Sequence, residues 1–146
     1  MTANDIPAVR ALVEATDGLG FKSWESDPVL ARCLSRCDGL SQVATDKDGA
    51  LIGCVFIGEG LMGFVHHLAV APEARGRLAG TTMVRRGLNL LFKREHAARR
   101  IYITVLSSNA GAQRFWESFG AERQADGALV LFTMDLGEQK WLDSDS

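Results

Sequence analysis

Apolar and polar positions along this chain change their spacing several times, and each change marks an element. Asn4 or Asp5 stands just ahead of Pro7, and Asp27 stands directly before Pro28. A side-chain oxygen caps the open amides of a first helical turn, and proline is tolerated there, so the pattern predicts helices to about Ala15 and through Arg36. Residues 18–26, GLGFKSWES, read as the loop between them. Alternating and β-branched runs then predict strands over Leu40–Asp46, Ala50–Ile57 and Phe64–Val70. Lys47-Asp48-Gly49 turns the first hairpin, and Gly58, Gly60 and Gly63 bracket the second turn.

Met83, Gly87, Leu88, Leu91 and Phe92 recur at a helical period, which predicts a helix over Gly80–Glu95. Ile101–Leu106 reads as a strand. Asn109 caps a helix through Phe119 that ends at Gly120, and Asp126-Gly127 turns the chain into a last strand, Ala128–Leu136. Residues 137–146 form a polar tail broken only by Trp141 and Leu142. The order α, α, β, β, β, α, β, α, β implies one α/β domain over residues 1–146, with its core in 4–136 and a largely antiparallel front half.

Composition narrows the function. No apolar run reaches the eighteen or so residues of a membrane span, and the N-terminus lacks the basic start and apolar core of an export signal. Three cysteines, an odd count, suit reduced thiols in a cytoplasm; Cys33 and Cys37, four apart on one helix, read as packed thiols rather than a metal or redox site. No metal centre is expected. Net charge is −2, which excludes broad attraction to nucleic acid. Yet half of the sixteen Lys and Arg residues fall between Arg75 and Arg100, where Glu95 is the only acid. A local positive region of that kind suits a small polyanion. Arg75 and Arg77 lie at a helix N-terminus, where the dipole disfavours bases, so helix electrostatics do not account for them.

Residues 64–80, FVHHLAVAPEARGRLAG, carry the chemistry: a strand runs into a glycine-spaced, arginine-flanked loop at a helix start. First-turn amides point out of the helix, its dipole favours an anion, and glycine lets the backbone approach a phosphate. The stretch LAVAPEARGRLAG resembles the strand and R/Q-x-x-G-x-G/A loop of the GNAT superfamily of acyl-CoA-dependent N-acetyltransferases, and Asn109–Gly120, NAGAQRFWESFG, resembles its second motif. The hairpin VATDKDGALIGCVFIG fits the same family, and the likeness runs from Asp5 to Leu136.

The resemblance implies a mixed, mostly antiparallel sheet flanked by about four helices and splayed between the strands ending at Val70 and Leu106, with acetyl-CoA in the wedge. The backbone of Leu68, Ala69 and Val70 would pair with the pantetheine arm. Amides and side chains of Arg75, Gly76, Arg77, Leu78, Ala79, Gly80 and Thr81 would hold the pyrophosphate, and Asn109 and Trp116 would face the cofactor from the other lip. The implied activity is acetyl transfer to a primary amine, on a small molecule or a peptide, by direct attack; the alternative is an acyl-CoA-binding protein of the same fold with little catalysis. Four positions depart from the family pattern. Leu78 stands where the loop usually has glycine. Trp116 stands where many members carry an acidic tyrosine, and an indole is no useful acid. Thr104 replaces a catalytic glutamate of some peptide acetyltransferases. The family's first strand is missing or vestigial, which leaves a sheet edge that a second copy could cover.

His66 aligns with a histidine of arylalkylamine acetyltransferases, and an imidazole titrates near working pH, so it is either a water-relayed general base or a packed core histidine. On a regular strand His67 would face the opposite way, as a structural residue. Glu59, in a turn near the mouth of the wedge, is either a base or a solvated acid. Phe21, Trp24 and Glu25, in the loop that often lines the acceptor pocket of this superfamily, offer an aromatic wall beside a carboxylate; packing is the other reading of both rings.

Overall fold

The structure, a computed structural model, describes residues 1–125, 127 and 129–135. A single turn of 3-10 helix, Ala3–Asp5, leads into α1 (Ile6–Glu14), and α2 spans Asp27–Arg36. Strands β1 (Gln42–Thr45), β2 (Leu51–Glu59) and β3 (Gly63–Val70) follow, then α3 (Ala79–Phe92), β4 (Arg100–Leu106), α4 (Ala110–Ser118), β5 (Glu122–Ala125) and β6 (Leu129–Asp135). The sheet order is β1-β2-β3-β4-β6-β5. Every neighbouring pair is antiparallel except β3 and β4, which α3 joins by a crossover, as parallel strands require.

The turns follow local chemistry. Asp46 Oδ1 accepts from the amides of Asp48 and Ala50, at 2.9 Å each, and Gly49 takes a φ of 84°, closing the β1–β2 hairpin where the sequence puts it. Asn109 caps α4 by accepting from the Ala112 amide at 2.9 Å, and Gly120 ends that segment with a φ of 79°. Two expectations change. The long helix ends at Phe92, not Glu95, and Lys93, Arg94 and Glu95 lead the chain out of it. Glu122–Ala125 is a strand of its own, paired with β6, that the apolar pattern does not announce. No strand precedes α1 among the described residues, and β1 forms one edge of the sheet. The Asp126-Gly127 turn lies partly, and the tail wholly, outside the described residues.

The sheet has a core on each face. Val55, Ile57, Val65, Ile101, Ile103 and Phe132 pack under α3 and α4 with Val84, Leu88, Trp116 and Phe119. Cys54, Phe56 and Ala69 face the other way and pack under α1 and α2 with Val9, Val13, Leu30 and Leu34. Gly87 sets how closely α3 approaches the sheet, since a Cβ there would stand 2.3 Å from Ile57 Cδ1 and 2.6 Å from the Leu40 carbonyl. No helix among the described residues is long and apolar enough to cross a membrane.

Candidate active site

The parallel ladder between β3 and β4 holds three pairs, Gly63 with Ile101, Phe64 with Tyr102 and Val65 with Ile103, and then stops. Both strands continue, β3 to Val70 and β4 to Leu106, so they part into a wedge. The β4-facing backbone edge of His66–Val70, which includes Leu68, Ala69 and Val70, thereby lies open to an extended ligand, as in strand addition.

The loop 75–78 and the start of α3 lie at the wide end, where Gly80 packs beside Val70. Leu78 is the residue before α3, and the helix ladder opens with the Thr82 amide donating to the Leu78 carbonyl at 2.8 Å. The amides of Ala79, Gly80 and Thr81 form the helix's first turn, the place where a helix favours an anion. Thr81 itself is buried. Gly76 and Leu78 both take left-handed backbone, at φ 72° and 61°. Leu78 therefore keeps the conformation glycine would adopt, at a cost of roughly 1–2 kcal/mol, and turns its side chain outward, 56% exposed. A Cβ on Gly80 would lie 3.5 Å from Val70 Cγ2 and 3.9 Å from Phe115 Cε2, so glycine here keeps a gap between β3 and α4. Arg75 and Arg77 are exposed, with Arg75 Nε donating to the Val70 carbonyl at 3.2 Å. Asn109 stands on the opposite lip at the start of α4. Trp116 is only 3% exposed, its ring edge-on to Phe115 at 5.0 Å, so it packs in the core beneath the wedge. These positions fit a nucleotide-linked thioester: an open strand edge for the arm, and a glycine-bearing helix start for the phosphates.

The other side of the site corrects the sequence reading. His66 and His67 do not face opposite ways. Ala69 pairs with Cys54 and His66 with Phe56, so β3 carries an extra residue there, a bulge, and His67 takes a φ of 46°. Side-chain alternation resets across it: Val65 faces the α3 core, both histidines face α2, Leu68 returns to the α3 side and Ala69 to the α1–α2 side. Both rings line a cleft of about 350 Å³ under α2, together with Glu25, Val29, Cys33, Phe56, Glu59 and Phe64.

His67 Nε2 donates to Glu25 Oε1 at 2.7 Å, and its ring lies against Phe21, centroids 4.4 Å apart. His66 stacks on Phe64 at 5.8 Å. Water reaches His66, but protein surrounds the concave site, and that burial pushes its pKa below the ordinary 6.5; the neighbouring His67 adds to the drop and Glu25 opposes it. Burial pushes Glu25 up, but hydrogen bonds from His67 and the Lys22 amide, with the charges of both histidines, hold it below 4.5. Glu59, at the end of β2, accepts from the Ala98 amide at 3.0 Å and from Arg94 at 3.3 Å, so both its oxygens fasten the segment after α3. Trp24 stands 71% exposed beside Glu25, while Phe21 is half-buried. Sequence reasoning passed over His67, Phe64 and Cys33 as cleft residues. Period-2 alternation hid the first, and only the pairing across the sheet reveals it.

Comparison with known proteins agrees with this geometry. The family model described as acetyltransferase (GNAT) family matches residues 9–121. No curated protein sequence matches the chain. Among solved structures, the chain is similar to the PaiA N-acetyltransferase of Thermoplasma acidophilum in complex with coenzyme A, with a TM-score of 0.74, 14% identity, and 92% of this chain and 95% of that one covered. It is similar to Arabidopsis thaliana Naa50 in complex with the bisubstrate analogue CoA-Ac-MVNAL, with a TM-score of 0.72, 13% identity, and 92% and 95% covered. It is also similar to diaminobutyrate acetyltransferase EctA of Paenibacillus lautus in complex with L-2,4-diaminobutyric acid and coenzyme A, with a TM-score of 0.69, 21% identity, and 92% and 90% covered. At these identities the likeness is one of fold. With the family model spanning the wedge, its glycine loop and both lips, the chain belongs to the acetyltransferase (GNAT) family of acetyl-CoA-dependent acyltransferases.

Proposed function

We propose that the acetyl acceptor is a primary amine held in the cleft under α2, and that His66 takes its proton through water. The observation that carries this reading is the place of His66, which faces the cleft beside Phe56, its partner on β2, one residue past the point where β3 leaves β4. Acetyl-CoA supplies the acetyl group as an activated thioester. The open edge of Leu68–Val70 and the first turn of α3 would hold it, with Arg75, Arg77 and Asn109 at the rims. Amides at the splay are the donors available to a carbonyl oxygen as charge develops on it. His66, kept neutral by its surroundings, is an acceptor at neutral pH. As the N–C bond forms the amine nitrogen turns acidic, so a base as weak as imidazole suffices.

The lining favours an amine carried on an apolar body. Val29, Leu30, Phe56, Ile57 and Phe64 give the wall its apolar character, and the carboxylates of Glu25 and Glu59 are already engaged. Exposed Trp24 and Leu61 extend the apolar surface next to that lining, which suits a peptide amine as well as a small one. The relatives support both classes: Naa50 is seen with a peptide-derived analogue, and EctA with a small diamine. The test is CoA thiol release across a panel of small and peptide amines, beside acetyl-CoA binding by calorimetry. Turnover with an apolar amine supports the reading, and no binding at millimolar acetyl-CoA removes it. A second reading is an acyl-CoA-binding protein with little catalysis. Trp116 favours it, being buried and unable to donate a proton to a leaving thiolate. Binding without turnover across the whole panel would select it.

A further inference from the structure

His67 carries a side chain in left-handed backbone, so something must hold it there. The holding contacts come from two elements. Glu25 Oε1, in the loop between α1 and α2, takes its Nε2–H at 2.7 Å. Phe21 of the same loop lies against its ring. From β2, Phe56 meets the ring edge-on at 6.1 Å, and buried Cys54 donates its thiol to the His67 carbonyl at 3.6 Å.

Glu25 is itself fixed. Its second carboxylate oxygen accepts the Lys22 amide at 2.6 Å. Arg10 of α1 donates to the Glu25 carbonyl at 2.9 Å, reaches Asp27 at 2.6 Å, and lies 4.5 Å over the Phe21 ring. A continuous set of contacts thus runs from α1, through the loop, to His67, the residue next to His66, whose left-handed backbone brings a second ring to the cleft. With both oxygens engaged inside the protein, Glu25 is poorly placed to receive a substrate ammonium, the role its type and location suggest.

We infer that Glu25 and His67 form a positioning pair for acetyl transfer: Glu25 holds His67, and His67 fixes the bulged strand directly after His66, and with it the place of His66 in the cleft. The inference rests on the reading of the cleft as the acceptor site. Neither residue touches the reacting atoms; both act through His66.

The test uses Glu25→Ala and Glu25→Gln in the full chain. It reads kcat, amine KM, acetyl-CoA Kd and the imidazole nitrogen resonances of both histidines. Displacing an aimed group by an ångström costs up to about a hundred-fold, so Glu25→Ala is expected to lower kcat by about ten-fold or more while acetyl-CoA Kd stays within about two-fold. Glu25→Gln, whose amide oxygen accepts the same Nε2–H, restores most of kcat and keeps the His67 resonances of the unaltered protein. A kcat for Glu25→Ala within about two-fold of the unaltered protein overturns the pair on the same scale, as does a Glu25→Gln as impaired as alanine. If Glu25→Ala does not fold, Glu25→Gln decides: near-normal kcat with unchanged His67 resonances supports the pair, and lost kcat with unchanged resonances overturns it. Should the unaltered protein turn over no amine, the acetyl-transfer reading fails separately. The His67 resonances then decide the pair, altered by alanine but not glutamine if Glu25 holds the ring, and unmoved by either if it does not.

Discussion

The two sides of the wedge are built by different means. The proposed donor side is one continuous run, Leu68–Thr81, and what it offers is backbone: an open strand edge, two left-handed residues and a helix's first amides. The proposed acceptor side gathers side chains from far apart, Glu25 from a loop, Cys33 from α2, Phe56 from β2 and His66 with His67 from β3. A backbone site depends on conformation and empty space and tolerates varied side chains. A side-chain site depends on tertiary contacts that aim each group. The two should therefore fail differently when altered.

The largest separation is expected at Gly80. Filling the gap between Val70 and Phe115 with Gly80→Leu should weaken acetyl-CoA binding by about a hundred-fold, equivalent to about 2.7 kcal/mol, while Gly80→Ala, whose Cβ meets its neighbours at ordinary contact distance, costs far less. Calorimetry on both variants checks this, and equal affinities would mean the cofactor does not pass that gap.

A smaller effect divides the sides by pH. His66 titrates below 6.5, so kcat/KM should rise with pH along a limb centred under that value, with the amine's own deprotonation giving a second limb higher up. His67 and Glu25 are the charged groups that bear most on that ring, with Arg36, Cys33 and Cys37 on α2 and Glu59 on β2 also lining the cleft. His67→Gln removes a repulsion and should move the lower limb upward. Acetyl-CoA affinity should not follow that limb. Stability carries the same sign. His66 and Glu25 both titrate lower when folded, so the unfolded chain binds more protons, and the contribution present above 6.5 and 4.5 respectively is lost as pH falls. Urea midpoints across pH 4 to 7 test this, and a flat profile would contradict it.

The smallest effect is expected at Leu78. Leu78→Gly removes left-handed strain worth roughly 1–2 kcal/mol but frees the unfolded chain, so the net gain in stability should stay under about 1 kcal/mol. The same change should tighten acetyl-CoA binding by baring the backbone of the loop. Thermal melts and calorimetry measure the two, and weaker binding would mean the loop uses the leucine.

How much of this was legible in the sequence follows the same division. Gly76, Gly80, the β1–β2 turn at Asp46 and the Asn109 cap act within a few residues of themselves, and their chemistry shows in the sequence. The phosphate-type loop was legible because a strand, a loop and a helix start lie in order, and the wedge was implied only by the family resemblance these motifs carry. The bulge was not. No glycine or proline marks it, and His67 is held by Phe21, Glu25 and Cys54, between 13 and 46 residues away along the chain. Period-2 alternation, sound for a regular strand, therefore sent the two histidines to opposite faces. Glu25 and Glu59 both line the cleft, but their partners, His67 and the Ala98 amide, lie 42 and 39 residues off, and those partners decide what each carboxylate is free to do. Strand β5 was missed for a related reason: its ERQA sequence carries almost no apolar signal, and pairing with β6 defines it.

The most direct test of the acceptor side is kcat for His66→Ala at saturating acetyl-CoA and amine, measured beside acetyl-CoA Kd on the same protein. The expected result is a fall in kcat of about a hundred-fold or more, the usual worth of a general base, with Kd unchanged. An unchanged kcat, or a loss that appears only in Kd, would contradict the assignment of His66 as the base.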